Sequence, residues 1–235
     1  MALIGTSAEQ QIWNYFKSKG MTDAGVAGLM GNLYAESALN PTNLQNSYEK
    51  KLGYTDAEYT FAVDNGLYNN FVKDSAGYGL AQWTYWSRKQ HLLAYAMSHS
   101  LSIGDLEMQL DFLYKELSES YQSVLAILLT ANDILQASNA VLLQFEKPAD
   151  QSLAVQEKRA EFGRKYYTSF STKKEDDNMA EVKLDNTPDA WAQEAVDWAV
   201  ENKILFGDEN GNYKLHDNCT RQEMLIFINR LMKQI

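Results

Sequence analysis

Thr22-Asp-Ala-Gly-Val-Ala-Gly-Leu-Met-Gly-Asn-Leu-Tyr-Ala-Glu-Ser-Ala-Leu-Asn-Pro41 reads as one helix and the turn that ends it. Thr22 is a good N-cap and Asp23 suits the first turn. Val26, Leu29, Met30 and Leu33 recur at helical spacing on one face, and Pro41 closes the segment. Glu36 follows Leu29 by seven positions, so it points within about 20° of it. A carboxyl is thereby set on the apolar face, in the last helical turn. Desolvation and the negative end of the helix both favour its protonated form, which a proton-donating catalyst needs. The plainer alternative is an edge glutamate that reaches water.

Around this helix the first 170 residues read as mostly helical. Gln11–Lys19 carries Ile12, Tyr15 and Phe16 at helical spacing. Helices are predicted over Arg88–His99, after a Ser102–Asp105 capping signal that precedes Leu106, Leu110, Leu113 and Leu117, from Asn132 through Leu143, and over Leu153–Tyr167. Residues 42–84 are rich in Asn, Tyr, Gly and Asp with little helical period, which predicts a long, partly β or irregular excursion. The longest fully apolar run is Val124–Leu129, far short of the roughly 20 residues of a membrane span.

The chain of 235 residues has 21 basic and 31 acidic side chains, a net charge of −10. No basic stripe exists to neutralise phosphates, so nucleic acid is not an expected partner, and neither is a membrane. Long-range attraction to a polyanion fails for the same reason, so recognition must be short-range. The N-terminus lacks a basic segment followed by an apolar one, and no signal peptide is expected. The single cysteine, Cys219, excludes an intrachain disulfide, and its apolar slot predicts a buried thiol.

A second cluster, Asp74-Ser-Ala-Gly-Tyr-Gly-Leu-Ala-Gln-Trp-Thr84, surrounds Tyr78 with two glycines and then supplies Gln82 and Trp83. Glycines let a backbone approach a ligand. Gln82 offers an uncharged donor and acceptor. Tyr78, Trp83, Tyr85 and Trp86 carry flat apolar faces that can stack on sugar rings or fill a core.

Gly31-Asn-Leu-Tyr-Ala-Glu-Ser-Ala-Leu-Asn-Pro41, Gly77-Tyr-Gly-Leu-Ala-Gln-Trp-Thr84, Arg88-Lys89 and Phe145-Glu-Lys-Pro148, in that order, resemble the phage tail lysozyme family over about residues 8–170. The resemblance implies a helical, lysozyme-like fold with a cleft, catalysis by Glu36 and glycan contacts from Tyr78, Gln82 and Trp83. A second carboxylate is expected at Asp74, or failing that at Asp64; either could instead cap a turn. The spacing of two carboxyls would separate retaining from inverting hydrolysis, and a single Glu would allow an anhydro product. A muramidase is the preferred outcome over a glucosaminidase or lytic transglycosylase. A non-catalytic wall-binding or tail structural protein is the rival class.

No cofactor is expected. His91 and His99 stand eight residues apart on one predicted helix, more than about 10 Å along its axis, and cannot share a metal. His216 lies far along the chain, so a zinc amidase is disfavoured.

Residues 171–186 are polar and lack an apolar stripe, which marks a linker. Two helical patterns follow, Ala190–Asn202 and Arg221–Met232, as a small helix–loop–helix module. Pro188-Asp-Ala-Trp-Ala-Gln-Glu-Ala-Val-Asp-Trp-Ala199, Ile204-Leu-Phe-Gly207, Gly211-Asn-Tyr213 and Thr220-Arg-Gln-Glu223 resemble one S-layer homology repeat over 187–235. That resemblance implies binding to a polymer of Gram-positive walls, with Trp191, Arg221 and Glu223 as contacts. Arg221 can hold an anion bidentately or pair within the module. A lone repeat leaves its apolar stripe uncovered, which predicts an oligomer through 187–235. With suitable codons for Lys174 and Glu175, a ribosome-binding sequence would precede Met179, which predicts a free copy of the module. The combined expectation is a mainly α phage endolysin: residues 1–170 cleave, 171–186 link and 187–235 bind the wall. It would wait in the host cytoplasm until lysis and then act on the wall.

Overall fold

A computed structural model describes residues 3–171, 185–207, 211–217 and 219–233. Most of the expected linker, with Met179, lies outside the described residues. Two compact units emerge, Met1–Thr172 and Lys173–Ile235. The first contains α1 (Ala8–Ser18), α2 (Asp23–Ser37), α3 (Asn46–Leu52), α4 (Asp56–Asp64), α5 (Trp86–His99), α6 (Leu106–Ser120), α7 (Gln122–Thr130), α8 (Ile134–Ala140), a π-helical turn (Val141–Glu146) and α9 (Leu153–Phe170). The second contains α10 (Gln193–Glu201) and α11 (Arg221–Met232). The fold is mainly α, and among the described residues no helix is long and apolar enough to cross a membrane.

Helix α2 is the centre of the first unit, packed by α1, α7, α8 and α9. It is not the one-faced helix that its apolar spacing predicts: from Ala24 to Leu33 every residue is buried. The reason is the glycines at positions 25, 28 and 31. A Cβ at Gly25 would stand 2.0 Å from the Leu128 carbonyl oxygen of α7, and one at Gly28 would stand 2.6 Å from Ala137 Cβ of α8. At Gly31 it would lie 2.3 Å from the Arg159 carbonyl oxygen of α9. Each missing side chain admits a different helix at backbone distance. Gly163 of α9 returns the fit, because a Cβ there would lie 2.6 Å from the Ala27 carbonyl oxygen.

The ends of α2 are fixed locally. Thr22 Oγ1 accepts from the Gly25 N–H at 2.9 Å and donates to the Ala131 carbonyl at 2.6 Å, tying the start of α2 to the end of α7. The helix stops before Pro41: Ala38 and Leu39 take left-handed φ of 53° and 62°. The Ser37 hydroxyl donates to the Leu80 carbonyl at 2.9 Å, bringing the 77–84 loop against the last turn that carries Glu36.

The 42–84 excursion holds two helices, α3 and α4, and two isolated bridges, Leu44 with Tyr78 and Tyr78 with Trp83. Helix α4 is announced by a capping box that composition hides: the Thr55 N–H donates to Glu58 Oε2 at 2.9 Å, and Thr55 Oγ1 accepts from the Glu58 N–H at 3.4 Å.

Beneath this excursion lies a buried polar knot around Asp74. Lys89 Nζ donates to Asp74 Oδ1 at 2.6 Å and to the Ala76 carbonyl at 2.8 Å. The Tyr59 and Tyr68 hydroxyls donate to Asp74 Oδ2 at 2.5 and 3.1 Å. Burial pulls the Lys89 ammonium below its usual range against the opposing pull of Asp74. Burial, reinforced by Asp74, pushes the Tyr59 phenol far up. Asp74 therefore joins α4 to α5, and both its oxygens are occupied.

Two stability measurements test this architecture. Gly31→Ala is expected to destabilise by roughly 2 kcal/mol or more, although alanine gains about 1 kcal/mol in helix propensity. An unchanged or raised denaturation midpoint would contradict the close approach of α9. Asp74→Asn should lower stability by about 3–5 kcal/mol, because it strands the Lys89 charge in the core. Full stability with lost turnover would mean that Asp74 serves chemistry instead.

Candidate active site

Glu36 projects from the last turn of α2 into a cavity of about 430 Å³. The excursion contributes Gln45, Gln82 and Thr84 to its wall, and Tyr85 and Arg88 come from the start of α5. Glu146 and Pro148 close it from the π-helical turn and the residues after it. The Glu36 side chain is 20% exposed and forms an ion pair with Arg159 of α9 at 2.6 Å. It does not sit in the apolar surroundings that helical spacing suggests, because Arg159 reaches across from α9.

Arg159 is itself fixed from behind. Its Nη1 donates to Asn32 Oδ1 at 3.2 Å. The buried Asn32 amide donates to the carbonyls of Gly28 and Ser138 at 2.9 and 3.1 Å, and to Ser138 Oγ at 3.0 Å. A continuous chain of polar contacts thus runs from α8 through α2 and α9 to the Glu36 carboxylate. Such a chain restricts the carboxylate to one orientation.

The 77–84 loop brings Gln82 to the same cavity. Gln82 takes a left-handed φ of 44°, and its Nε2 donates to Asn43 Oδ1 at 2.9 Å. Gly79 has φ 75°, and a Cβ there would lie 2.7 Å from Gln109 Oε1. That same Gln109 oxygen accepts the Leu80 N–H at 2.9 Å. The glycines of the motif therefore serve the loop's own turn and its packing. Gln45 Oε1 accepts the Gly77 N–H at 3.0 Å, which aligns the second amide of the cavity wall.

The expected aromatic contacts divide. Tyr78 and Trp83 are fully buried. Tyr78 exchanges a hydrogen bond with Thr60 at 2.6 Å, and Trp83 Nε1 donates to Glu116 Oε2 at 2.7 Å. Both rings support the loop from below and offer no open face. Tyr85 and Trp86 are the exposed pair, 62% and 52%, with centroids 6.0 Å apart. They border a shallow groove with Val72, Lys73 and Ser75 that shares Thr84 and Tyr85 with the Glu36 cavity.

Neither expected second carboxylate lies in the cavity wall. Asp74 is held in the buried knot. Asp64 accepts from Ser102 Oγ at 2.5 Å and from the Ile103 N–H at 2.9 Å, at the edge of a different groove. The carboxyl that does line the cavity beside Glu36 is Glu146. Burial, followed by the nearby Glu36 charge, pushes it up to about 8, against the pull of Arg88 and Arg159. The sequence carried a signal for it: Glu146 stands in Phe145-Glu-Lys-Pro148, one of the stretches that carry the family resemblance.

In the second unit Glu223 completes a capping box on α11. The Thr220 N–H donates to Glu223 Oε2 at 2.7 Å, and Thr220 Oγ1 accepts the Glu223 N–H at 3.2 Å. Those bonds hold the Glu223 carboxyl below its usual range. Arg221 stands exposed in the first turn of α11. Trp191 is 86% exposed, and its Nε1 donates to Asp189 at 3.2 Å. Cys219 is exposed, not buried as its apolar slot suggests, because it precedes the Thr220 cap rather than entering the helix.

Two family models match the chain. The S-layer homology domain matches residues 184–225, which associates the second unit with cell walls. The phage tail lysozyme model matches residues 7–170 and so includes α1 to α9 and every residue of the Glu36 cavity. The chain belongs to the phage tail lysozyme family.

Proposed function

We propose that the protein is a phage endolysin that hydrolyses the glycan strand of peptidoglycan as an N-acetylmuramidase. One observation carries this reading: Glu36 faces a polar cavity that opens beside an exposed aromatic pair. The amides of Gln45 and Gln82 can hydrogen-bond sugar hydroxyls and N-acetyl groups without charge. Tyr85 and Trp86 can stack on a neighbouring sugar of the same strand. With a net charge of −10, affinity must come from such close contacts.

The wall-binding unit supports the same substrate. In α10 and α11, Trp198, Leu225, Ile226 and Ile228 are exposed, and Trp191 lies just before α10. These faces support association of residues 187–235 with further copies of the module, whether in full-length chains or in a product started at Met179. Trp191 and Arg221 are its proposed contacts to a Gram-positive wall polymer; Glu223, already engaged by Thr220, shapes the helix start that presents Arg221.

Digestion of purified peptidoglycan with mass spectrometry of the fragments tests the activity. New muramic acid reducing ends are expected, and Glu36→Gln should lower turnover by about 10²–10⁴-fold. Anhydro ends would make the enzyme a transglycosylase, and no release would leave a wall-binding protein. Trp86→Ala should raise KM by about tenfold with kcat retained, the equivalent of one lost stacking contact. Light scattering should find more than one chain per particle, and a strict monomer at micromolar concentration would remove the proposed association.

A further inference from the structure

Helix α2 is buried from Ala24 to Leu33 and meets solvent again in its last turn, at Tyr34, Ala35 and Ala38. There α2 and α9 leave a second cavity of about 380 Å³, separate from the one that Glu36 lines. Ala35 and Ala38 are too short to fill it, and Val155 of α9 adds a further apolar side. Tyr34 and Phe162 form its aromatic wall, edge to face with centroids 4.7 Å apart. Breaking a glycosidic bond does not by itself require this cavity.

Its charged residues are Lys158 and Arg159. Arg159 is buried and engaged, with Nη1 on Asn32 at 3.2 Å and Nη2 paired with Glu36 at 2.6 Å. It therefore stands between the two cavities, lining one and holding the carboxylate of the other. Lys158 is exposed and has no carboxylate partner among the described residues; its Nζ stands 6.0 Å from the Phe162 ring centroid. The two acids of α9, Glu157 and Glu161, both pair with Arg164, at 2.7 and 3.4 Å. A chain of net charge −10 thus leaves one ammonium open in an apolar cavity beside Glu36.

We propose that this cavity holds the stem peptide of peptidoglycan, the short peptide that branches from muramic acid sugars through their lactyl ether. This rests on the glycan-hydrolase reading above. A muramidase cuts the anomeric bond of the sugar that carries the branch, so the peptide leaves the strand next to Glu36, where the α2–α9 cavity lies. Stem peptides combine small apolar side chains with free carboxylates. The two alanines, Val155 and Phe162 suit the first, and the Lys158 ammonium suits the second. A phosphate of a wall polymer fits less well, because the guanidinium fork that would grip it bidentately is already committed to Glu36 and Asn32.

The consequence is selectivity. A strand that keeps its peptides gains a contact that a bare strand lacks. That contact is made alike in the ground and transition states, so the gain falls on KM and not on kcat. The Lys158 contribution is exposed and therefore screened by salt. The test uses full-length wild type, Lys158→Gln and Lys158→Glu on soluble glycan oligomers that keep their stem peptides, and on the same oligomers with the peptides removed. Wild type should show a KM about fivefold lower on the peptide-bearing strand. Lys158→Gln should remove most of that preference with kcat and the bare-strand KM unchanged, and Lys158→Glu should favour the bare strand. Raising salt to about 1 M should shrink the wild-type preference. Titration with the free lactyl peptide needs no turnover. By NMR it should shift the methyl resonances of Ala35 and Ala38 in wild type, and much less in Lys158→Gln.

Equal KM values for the two strands, or a Lys158→Gln that changes both alike, would overturn the proposal and leave the hydrolase reading intact. Methyl shifts produced by glycerol phosphate oligomers and not by the peptide would do the same. No release from either strand by wild type would overturn the hydrolase reading; in that case an unperturbed peptide titration overturns the subsite as well, and shifts lost in Lys158→Gln uphold it.

Discussion

Everything in the first unit depends on three helices reaching the backbone of α2. A buried helix normally meets its neighbours through side chains, with axes about 8–10 Å apart. Here Gly25, Gly28 and Gly31 bring α7, α8 and α9 to direct backbone contact. That closeness lets Asn32 touch Ser138 on one side and Arg159 on the other. Arg159 then reaches Glu36 one turn further along. The position of the Glu36 carboxylate is thus a consequence of absent side chains on its own helix.

The same packing sets the electrostatics. Arg159 and Arg88 enter from α9 and α5, and each meets a carboxylate, Glu36 or Glu116. Glu116 also accepts from Trp83, so the ring beneath the glycine-rich loop is linked to the charge pair beside the cavity. Loop position and cavity charge are therefore coupled through one glutamate. Removing the Trp83 donor would leave Glu116 held by Arg88 alone and so alter the field at the cavity wall.

That Glu36 lines a cavity was legible from the motif, while helical spacing alone placed it among apolar neighbours that Arg159 replaces; the mainly α fold was legible because apolar periods are long in this chain. The 42–84 segment was harder. Its two helices are short, and their signal is the Thr55–Glu58 box rather than any apolar stripe. Tyr78, Trp83 and Asp74 were drawn toward the substrate because they adjoin the glycines. Adjacency in sequence does not say which side of a loop a residue takes, and the buried Lys89 that claims Asp74 comes fifteen positions later. Glu146 was in view within Phe145-Glu-Lys-Pro148, but its place in the cavity wall was hidden for a different reason. A π-helical turn holds an extra residue, so any face assigned by α-helical spacing shifts by about 100° after it.

The separation of cutting from holding has an energetic logic in this chain. A cleft that bound its polymer tightly in the ground state would lower KM without accelerating the bond-breaking step. Attachment by a second unit supplies a high local concentration of substrate without such tightness. On the proposed function, the cavity's neutral amides and its aromatic border are then needed only for positioning. An acidic protein gains most from this division. Its net charge of −10 opposes electrostatic capture by an anionic wall, so attachment must rest on short-range contacts, for which the second unit is proposed to offer the exposed Trp191 and Arg221.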